Sequence, residues 1–145
     1  MPLLGFTMFR DKILDGSKCQ TIRKLRKISI LLGDRLYLYW KLRTKQCEKL
    51  GETVCTESFF IAIIRHGSAY STYGDCWEIH RFNSHPSQAS QSYKLDEAEL
   101  LDLAMRDGFV STKDLVQIIV RMHRIPPNSR TFFQVIRWGW LEKEA

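Results

Sequence analysis

Apolar residues in the first half of the chain fall into short clusters with the length and composition of β-strands. Residues 3–9 can form a first strand, and residues 36–40 are rich in aromatic residues, which favour strands. A Gly-Asp turn at residues 32–35 leads into that second cluster. Residues 54–64 end in a nearly continuous apolar run of strand length. Residues 131–138 repeat the strand pattern near the end of the chain, so the sequence predicts a protein rich in strands.

Three further segments have apolar residues at helical spacing. Residues 9–15 predict a short helix that ends at Gly16. Asp96 and Ser111 are each followed three residues later by an acidic residue, a pattern typical of helix N-termini. Prolines at 126 and 127 stop the last helix. The apolar residues at helical spacing in the last two segments are Leu100, Leu103, Ala104, Leu115, Ile118, Ile119 and Met122.

The order of these elements indicates the fold class. Strands come first, a helical hairpin follows, and a last strand returns. This order predicts an α+β fold with a largely antiparallel sheet or barrel, because a doubly wound parallel sheet would alternate strands and helices. The length of 145 residues is typical of one domain, so we expect a single domain over residues 1–145. Residues 67–94, which carry Gly, Ser, Asn, His and Pro, are predicted to be a variable excursion with at most short strands.

The charge of the chain is unevenly distributed. Its formal net charge is +6, but residues 1–50 hold 12 lysines and arginines against 4 acidic residues, whereas residues 51–145 hold 10 against 12. A positive field of this kind attracts polyanions. An aromatic and basic stretch at residues 37–49 suits nucleic acid, and Arg43 and Lys45 are its candidate contacts. The alternative is a basic face that only aids solubility.

The cysteines and the apolar runs indicate the cellular location of the protein. Its 4 cysteines are spread along the chain without a CxxC pair, which favours cytoplasmic thiols over a secreted disulfide framework. No apolar run approaches the roughly 20 residues of a membrane span, and the start of the chain lacks the pattern of a signal peptide. The cysteines and histidines do not have the spacing of a tetrahedral metal site. We therefore expect a cytoplasmic protein with no membrane partner, no metal and no cofactor.

The segment 15–23 concentrates polar chemistry near the start of the chain. Gly16 permits a tight turn, and Lys18, Thr21 and Arg23 supply an amine, a hydroxyl and a guanidinium. In an extended strand Thr21 and Arg23 share a face, so we place Lys18 in the preceding turn, where it can fold back over Thr21. Such a cluster can bind a phosphate, or it can activate the hydroxyl if Lys18 loses its proton near neutrality. The alternative is an exposed basic strand edge.

Several motifs together resemble the ASCH domain, a branch of the PUA-like barrels. They are residues 12–23 (Lys-Ile-Leu-Asp-Gly-Ser-Lys-Cys-Gln-Thr-Ile-Arg), residues 32–39 (Leu-Gly-Asp-Arg-Leu-Tyr-Leu-Tyr), residues 107–109 (Asp-Gly-Phe) and a terminal strand at residues 132–137. The resemblance covers residues 3–66 and 95–138. It implies a PUA-like, mostly antiparallel β-barrel with flanking helices, and a basic cleft that handles RNA or a nucleoside.

The resemblance also implies catalytic residues. One bacterial branch of the family hydrolyses the acyl amide of N4-acetylcytidine with a lysine, a threonine three residues later and a distant glutamate. Lys18 and Thr21 stand at the first two positions, and Asp107 falls near the third, as an aspartate. Under this hypothesis Lys18 takes the Thr21 proton, and Asp107 orients Lys18 or returns a proton to the leaving amine. Backbone N–H groups from Gly16 through Ser17 to Lys18 would stabilise the oxyanion. The alternative for Asp107 is a turn residue at a helix end.

Three functions remain open at this point. The preferred one is an RNA- or nucleoside-binding domain with a basic cleft, because the charge distribution and the loop aromatics favour a polymer. The second is an amidohydrolase acting on N4-acylated cytidine nucleosides, and the third is a small ribonuclease. The catalytic candidates are Lys18, Thr21 and Asp107, and the ligand-binding candidates are Gly16, Ser17, Arg23, Arg43 and Lys45.

Overall fold

A computed structural model describes residues 2–66, 76–88 and 91–142 of the chain. Its strands are β1 (Leu3–Phe6), β2 (Gln20–Lys24), β3 (Arg35–Trp40), β4 (Glu48–His66), β5 (Cys76–Phe82), β6 (Tyr93–Lys94) and β7 (Ser129–Trp138). Its helices are α1 (Arg10–Asp15), α2 (Glu97–Arg106) and α3 (Thr112–His123). These elements confirm the predicted α+β class.

The long strand β4 organises one seven-stranded sheet. It pairs antiparallel with β3, β5 and β7, while β2 lies antiparallel on β7 and β6 lies antiparallel on β5. Among the described strands, β1 alone is parallel to its neighbour, β3. The predicted mostly antiparallel arrangement is therefore confirmed. In the described part of the chain β1 and β2 do not pair with each other, so the sheet stays open between these two edges.

Two apolar clusters hold the helices on the sheet. The first packs α2 and α3 against β4 and β7, and it includes Leu103, Ala104, Leu115, Ile119, Phe59, Ile61, Phe133 and Val135. The second joins α1 to β1 and β3, and it includes Ile13, Leu4, Phe6, Leu36, Leu38 and Trp138. Burying one large apolar side chain of this kind contributes about 1.5–3 kcal/mol. Both clusters border the gap between β1 and β2.

The helix ends lie where the sequence predicts them. The carboxylate of Asp96 accepts from the Glu99 N–H at 2.8 Å, and the Glu99 side chain accepts from the Asp96 N–H at 3.2 Å, which forms a capping box. The Ser111 hydroxyl caps α3 in a similar way, by accepting from the Asp114 N–H. Gly16, with φ 89°, ends α1 in the left-handed conformation.

Two segments are more regular than the sequence indicates. Residues 41–51 carry the composition of a basic loop, yet β4 begins at Glu48, because Leu50 is buried in the core and the segment pairs with β3. Within residues 67–94, β5 is seven residues long and pairs with β4, whereas only short strands were expected there. Residues 67–75, 89 and 90 lie outside the described part of this segment.

Candidate functional site

A cavity of about 200 Å³ lies between the unpaired edges of β1 and β2. Its walls come from β1 and the connection to α1, from β2, from the residues after α2, and from α3. The side chains of Lys18, Thr21, Arg23 and Asp107 all line it. Lys18 and Asp107 are 89 positions apart in sequence. The fold therefore brings together the three predicted catalytic residues and one of the predicted ligand contacts.

Backbone hydrogen bonds place Lys18 beside Asp107. The next residue, Cys19, donates its N–H to the carbonyl of Arg106 at 2.9 Å, and its own carbonyl accepts from the Trp138 N–H at 3.0 Å. The Lys18 amine then donates to the backbone carbonyl of Asp107 at 2.6 Å and lies 3.5 Å from the carboxylate Oδ1. Lys18 is 4% exposed and Asp107 is 8% exposed, so the pair is almost sealed from bulk water.

Burial moves both members of this pair towards their neutral forms. It lowers the pKa of the Lys18 amine, with Asp107 opposing the change and Arg23 adding to it. It raises the pKa of the Asp107 carboxyl, with Lys18, Gln20 and Arg23 opposing. Desolvation outweighs the attraction of the pair, because a medium of low polarity penalises each charge strongly. Burial therefore brings the proton affinities of the two groups closer together, as is common at sites of acid–base chemistry.

Thr21 and Arg23 share a face of β2, as predicted, and they contact each other. The Arg23 Nε donates to the Thr21 Oγ1 at 2.9 Å, and an Nη atom of Arg23 donates to the carbonyl of Gly5 on β1 at 2.6 Å. Arg23 thus bridges the open edge of the sheet through its side chain. Because the Thr21 oxygen accepts this bond, its own proton remains available to an acceptor in the cavity. Negative charge on that oxygen would be stabilised by the guanidinium.

Aromatic rings form one wall of the cavity. Phe9 and Phe109 meet edge to face with their centroids 4.9 Å apart. The Lys18 amine lies 5.6 Å from the centre of the Phe6 ring and 5.7 Å from that of Phe9, and the Arg23 guanidinium lies 4.9 Å from the Phe6 ring. These distances suit cation–π attraction. The wall is therefore apolar in composition but lies next to positive charge.

The backbone around Phe9 has an uncommon conformation. Phe9 has φ 64°, a left-handed value that bulky residues rarely adopt, and it occupies the N-terminal cap position of α1. Gly108 faces its ring, has φ 102°, and leaves no room for a side chain, because a Cβ there would lie 2.8 Å from Cδ2 of Phe9. The Lys12 amine donates to the carbonyl of Gly108 and fixes the same turn. Strained backbone of this kind tends to occur at functional sites.

The other predicted ligand contacts lie elsewhere. Gly16 and Ser17 do not line the cavity, and the three backbone N–H groups expected to stabilise an oxyanion already donate within α1 and its C-terminal turn. Arg43 and Lys45 are exposed in the turn between β3 and β4, also away from the cavity lining. The Arg23 guanidinium, and not the backbone of the turn after α1, is therefore placed to stabilise charge on the Thr21 oxygen.

His123 and Lys24 also line the cavity, although sequence reasoning did not select them. Burial lowers the pKa of the His123 imidazole, and the nearby cations Lys24 and Arg23 lower it further. The signal that could have identified His123 is its spacing, since it follows Ile119 by one helical turn on the inward face of α3. Lys24, exposed at the end of β2, gives no comparable signal, because one lysine among several in a basic segment looks like any other.

The described residues contain neither a cluster of metal ligands nor a helix that could span a membrane. In residues 2–66, 76–88 and 91–142, no group of three or more His, Cys, Asp or Glu residues could hold a metal ion. No helix in the described part of the chain is long and apolar enough to cross a membrane.

In comparisons with known proteins, no family model, no curated protein and no solved structure matches this chain. The cavity holds a buried amine, carboxylate and hydroxyl beside a cation and an aromatic wall, and these groups are what can indicate a function.

Proposed function

We propose that the cavity binds one nucleobase, carried by a free nucleoside or by an unpaired RNA nucleotide. The observation that carries this proposal is the convergence of Lys18, Thr21 and Asp107, each less than one-tenth exposed, beside a wall of aromatic rings. Aromatic side chains stack on unpaired bases, and a few convergent polar groups recognise the edge of the base.

The size of the cavity favours a single ring system. Pockets that enclose drug-sized ligands have volumes of about 300–1,000 Å³, and this cavity has about 200 Å³. One base can enter, while the ribose and any phosphates stay at the mouth. Lys24 is exposed at this mouth, where it adds a positive charge for a phosphate.

The polar groups match a base that offers an acceptor next to an amino group. The Lys18 amine can donate to a ring carbonyl, and the Asp107 carboxylate can accept from an exocyclic amine. Cytosine carries such a pair, since the ring nitrogen N3 and the carbonyl O2 are acceptors on the same edge as the N4 amino group. A cytidine nucleoside or an unpaired cytidine in RNA is therefore the ligand that we propose.

The resemblance to the ASCH domain supports the same proposal. The motif residues Lys18, Thr21 and Asp107 all line the cavity. In this proposal the chain is an ASCH domain, its open sheet corresponds to a PUA-like β-barrel, and the cleft between β1 and β2 takes RNA or a nucleoside. The protein would then act in the cytoplasm, with nucleic acid or nucleosides as its partners.

Calorimetric titration with cytidine and with a short single-stranded RNA tests the binding function. We expect Lys18→Ala to weaken cytidine binding by about tenfold or more, because one charge-assisted hydrogen bond contributes about 1.5–3 kcal/mol. Lys45→Ala is the matched control, since Lys45 is an exposed lysine away from the cavity. Absence of cytidine and RNA binding by the unmodified protein, or equal losses in both variants, would contradict the proposal.

Amidohydrolysis of an N4-acylated cytidine is a second candidate, favoured by the lowered pKa of Lys18 and by the available Thr21 proton. Neutral Lys18 takes that proton while Thr21 Oγ1 bonds to the acyl carbon. The C–N bond then breaks as Lys18 returns the proton to the leaving N4 amine. Water hydrolyses the threonyl ester and releases the carboxylic acid. Arg23 stabilises the negative charge that develops on the threonine oxygen as its proton leaves.

Incubation with N4-acetylcytidine, followed by chromatography, tests this second candidate. Cytidine should form with the unmodified protein, should not form with Thr21→Ala, and should form slowly with Thr21→Ser, which keeps a hydroxyl. A lack of conversion by the unmodified protein contradicts hydrolysis and leaves binding intact.

Incubation with labelled RNA in metal-free buffer tests the ribonuclease alternative. RNA that stays uncleaved contradicts that alternative.

A further inference from the structure

A buried chain of hydrogen bonds extends from the candidate site to the opposite side of β2. Gln20, at the start of β2, is fully buried and stands opposite Arg137 of β7 in the sheet register. Its Nε2 donates to the carbonyl of Leu103 at 2.9 Å and lies 3.4 Å from the Asp107 Oδ1. Its Oε1 accepts from the Arg137 Nε at 2.8 Å. Gln20 therefore contacts Asp107 directly, although it does not line the cavity.

The neighbours of Gln20 determine which way its amide faces. Arg137 Nε can only donate, so the oxygen of the Gln20 amide has to face Arg137. The carbonyl of Leu103 can only accept, so the amide NH₂ has to face Leu103 and Asp107. The opposite orientation would leave the Arg137 Nε and the Leu103 carbonyl facing groups that cannot pair with them, and each buried group left in this way costs about 1–3 kcal/mol. The donor is thereby directed at the Asp107 carboxylate.

Arg137 is itself held in place. Its Nη1 donates to Glu57 at 3.1 Å, its Nη2 lies 3.6 Å from Asp102, and its guanidinium lies 4.9 Å from the centre of the Phe59 ring. Arg137 is only 8% exposed. It therefore provides a fixed donor against which the Gln20 amide is oriented.

We propose that Gln20, oriented by Arg137, is a positioning residue that holds the Asp107 carboxylate towards Lys18. Gln20 touches neither the cavity nor a ligand in it, so it acts through Asp107. This inference rests on the proposed function, because Asp107 is positioned for the ligand that the cavity binds. The contacts that support the inference do not depend on which ligand that is.

The consequence is measurable on the ligand-free protein. The Gln20 donor favours the ionised form of Asp107 and so opposes the effect of burial on its pKa. The charged groups facing Asp107 are Lys18 and Arg23, and Lys12 is bound at the next residue, Gly108. Variants at Gln20 leave these three cations unchanged, so a shift in the titration of Asp107 reports on Gln20.

The experiment is a pH titration of the Asp107 side-chain carboxyl by ¹³C NMR, with the resonance assigned by its loss in Asp107→Asn. Gln20→Met removes the donor and should raise the titration midpoint by about one pH unit, a tenfold change in proton affinity. Gln20→Glu keeps a partner for Arg137 but turns an acceptor towards Asp107, and should raise the midpoint further. If one of these variants fails to fold, the other still decides the outcome.

Gln134→Met is the matched control. Gln134 is another buried glutamine of the sheet, whose Nε2 donates to the carbonyl of Ile30 at 2.6 Å and to Ser58 at 2.8 Å, away from Asp107. This variant loses comparable hydrogen bonds and should leave the Asp107 midpoint unchanged. An unshifted midpoint in the Gln20 variants, or an equal shift in the control, would overturn the inference.

A cytidine titration of the same samples separates this inference from the proposed function. If the unmodified protein binds no nucleoside while the Asp107 midpoints follow the expected order, the proposed function fails and the positioning role stands. If cytidine binds and the midpoints do not move, the positioning role fails alone.

Discussion

At the scale of single residues, the Lys18–Asp107 pair is the most informative feature of the site. Water would screen such a pair on the surface and make it nearly neutral for stability. Here both side chains are almost fully buried, so each depends on the other for compensation of its charge. Burial of the pair therefore costs free energy, and removal of one partner also destabilises the fold. Functional ionisable groups are expected to be in this situation.

A double-mutant cycle measures this dependence. Lys18→Met and Asp107→Asn each remove one charge and leave the other buried, whereas the double variant leaves neither. We expect urea denaturation to give a coupling free energy of about 1–3 kcal/mol, since groups in direct contact couple in this range. The control cycle uses Arg10 and Glu48, an exposed bidentate pair, and should give a smaller coupling. Additive effects of the two buried substitutions would contradict the dependence.

At the scale of elements, features that depend on residues close together in sequence could be predicted, whereas features that depend on distant residues could not. The capping residues Asp96 and Ser111 were predicted because the partner of each lies three positions away in the chain. The shared face of Thr21 and Arg23 follows from strand periodicity alone. The extent of β4 could not be predicted in the same way, because pairing with β3 and burial of Leu50 decide where it starts.

The contact between Phe9 and Gly108 is a second feature outside the reach of local patterns. It joins the start of α1 to the turn after α2, so it exists only once the core has assembled. Its sequence signs, a glycine after Asp107 and a phenylalanine before a short helix, are common to many turns. The positive φ of Phe9 is set by this packing rather than by any preference of phenylalanine.

Substitution of Gly108 tests how far this contact shapes the cavity wall. Gly108→Ala places a Cβ 2.8 Å from the Phe9 ring at a positive φ, so it should displace Phe9 and destabilise the fold by about 2 kcal/mol or more. Gly33→Ala is the control, since Gly33 also has a positive φ but has open space around it, and backbone strain alone costs about 1–2 kcal/mol. Thermal denaturation gives the stabilities. Equal losses in both variants would show that the Phe9 contact is unimportant.

At the scale of the whole molecule, the sequence shows where basic residues are concentrated along the chain, but it does not show which of them reach the cavity. The excess of basic residues in positions 1–50 is a property of composition, and it includes Lys18, Arg23 and Lys24, which line the cavity. It also includes Arg43 and Lys45, which lie in an exposed turn away from it. Composition alone could not separate these groups, because the separation depends on which strand edges the chain leaves unpaired.

In the proposed function the cavity recognises the base, while Lys24 at its mouth attracts a phosphate. RNA and a free nucleoside should therefore respond differently to salt. Single-stranded RNA brings phosphates, so its affinity should fall steeply with salt, whereas cytidine brings none and its affinity should change little. Lys24→Gln should reduce the slope of log affinity against log salt by about 0.7, the value for one phosphate contact on a single strand. Lys94→Gln, at an exposed lysine on the distant strand β6, should leave the slope unchanged. Calorimetry over a range of salt concentrations supplies the slopes, and an RNA affinity that does not respond to salt would exclude a phosphate-binding role for the mouth of the cavity.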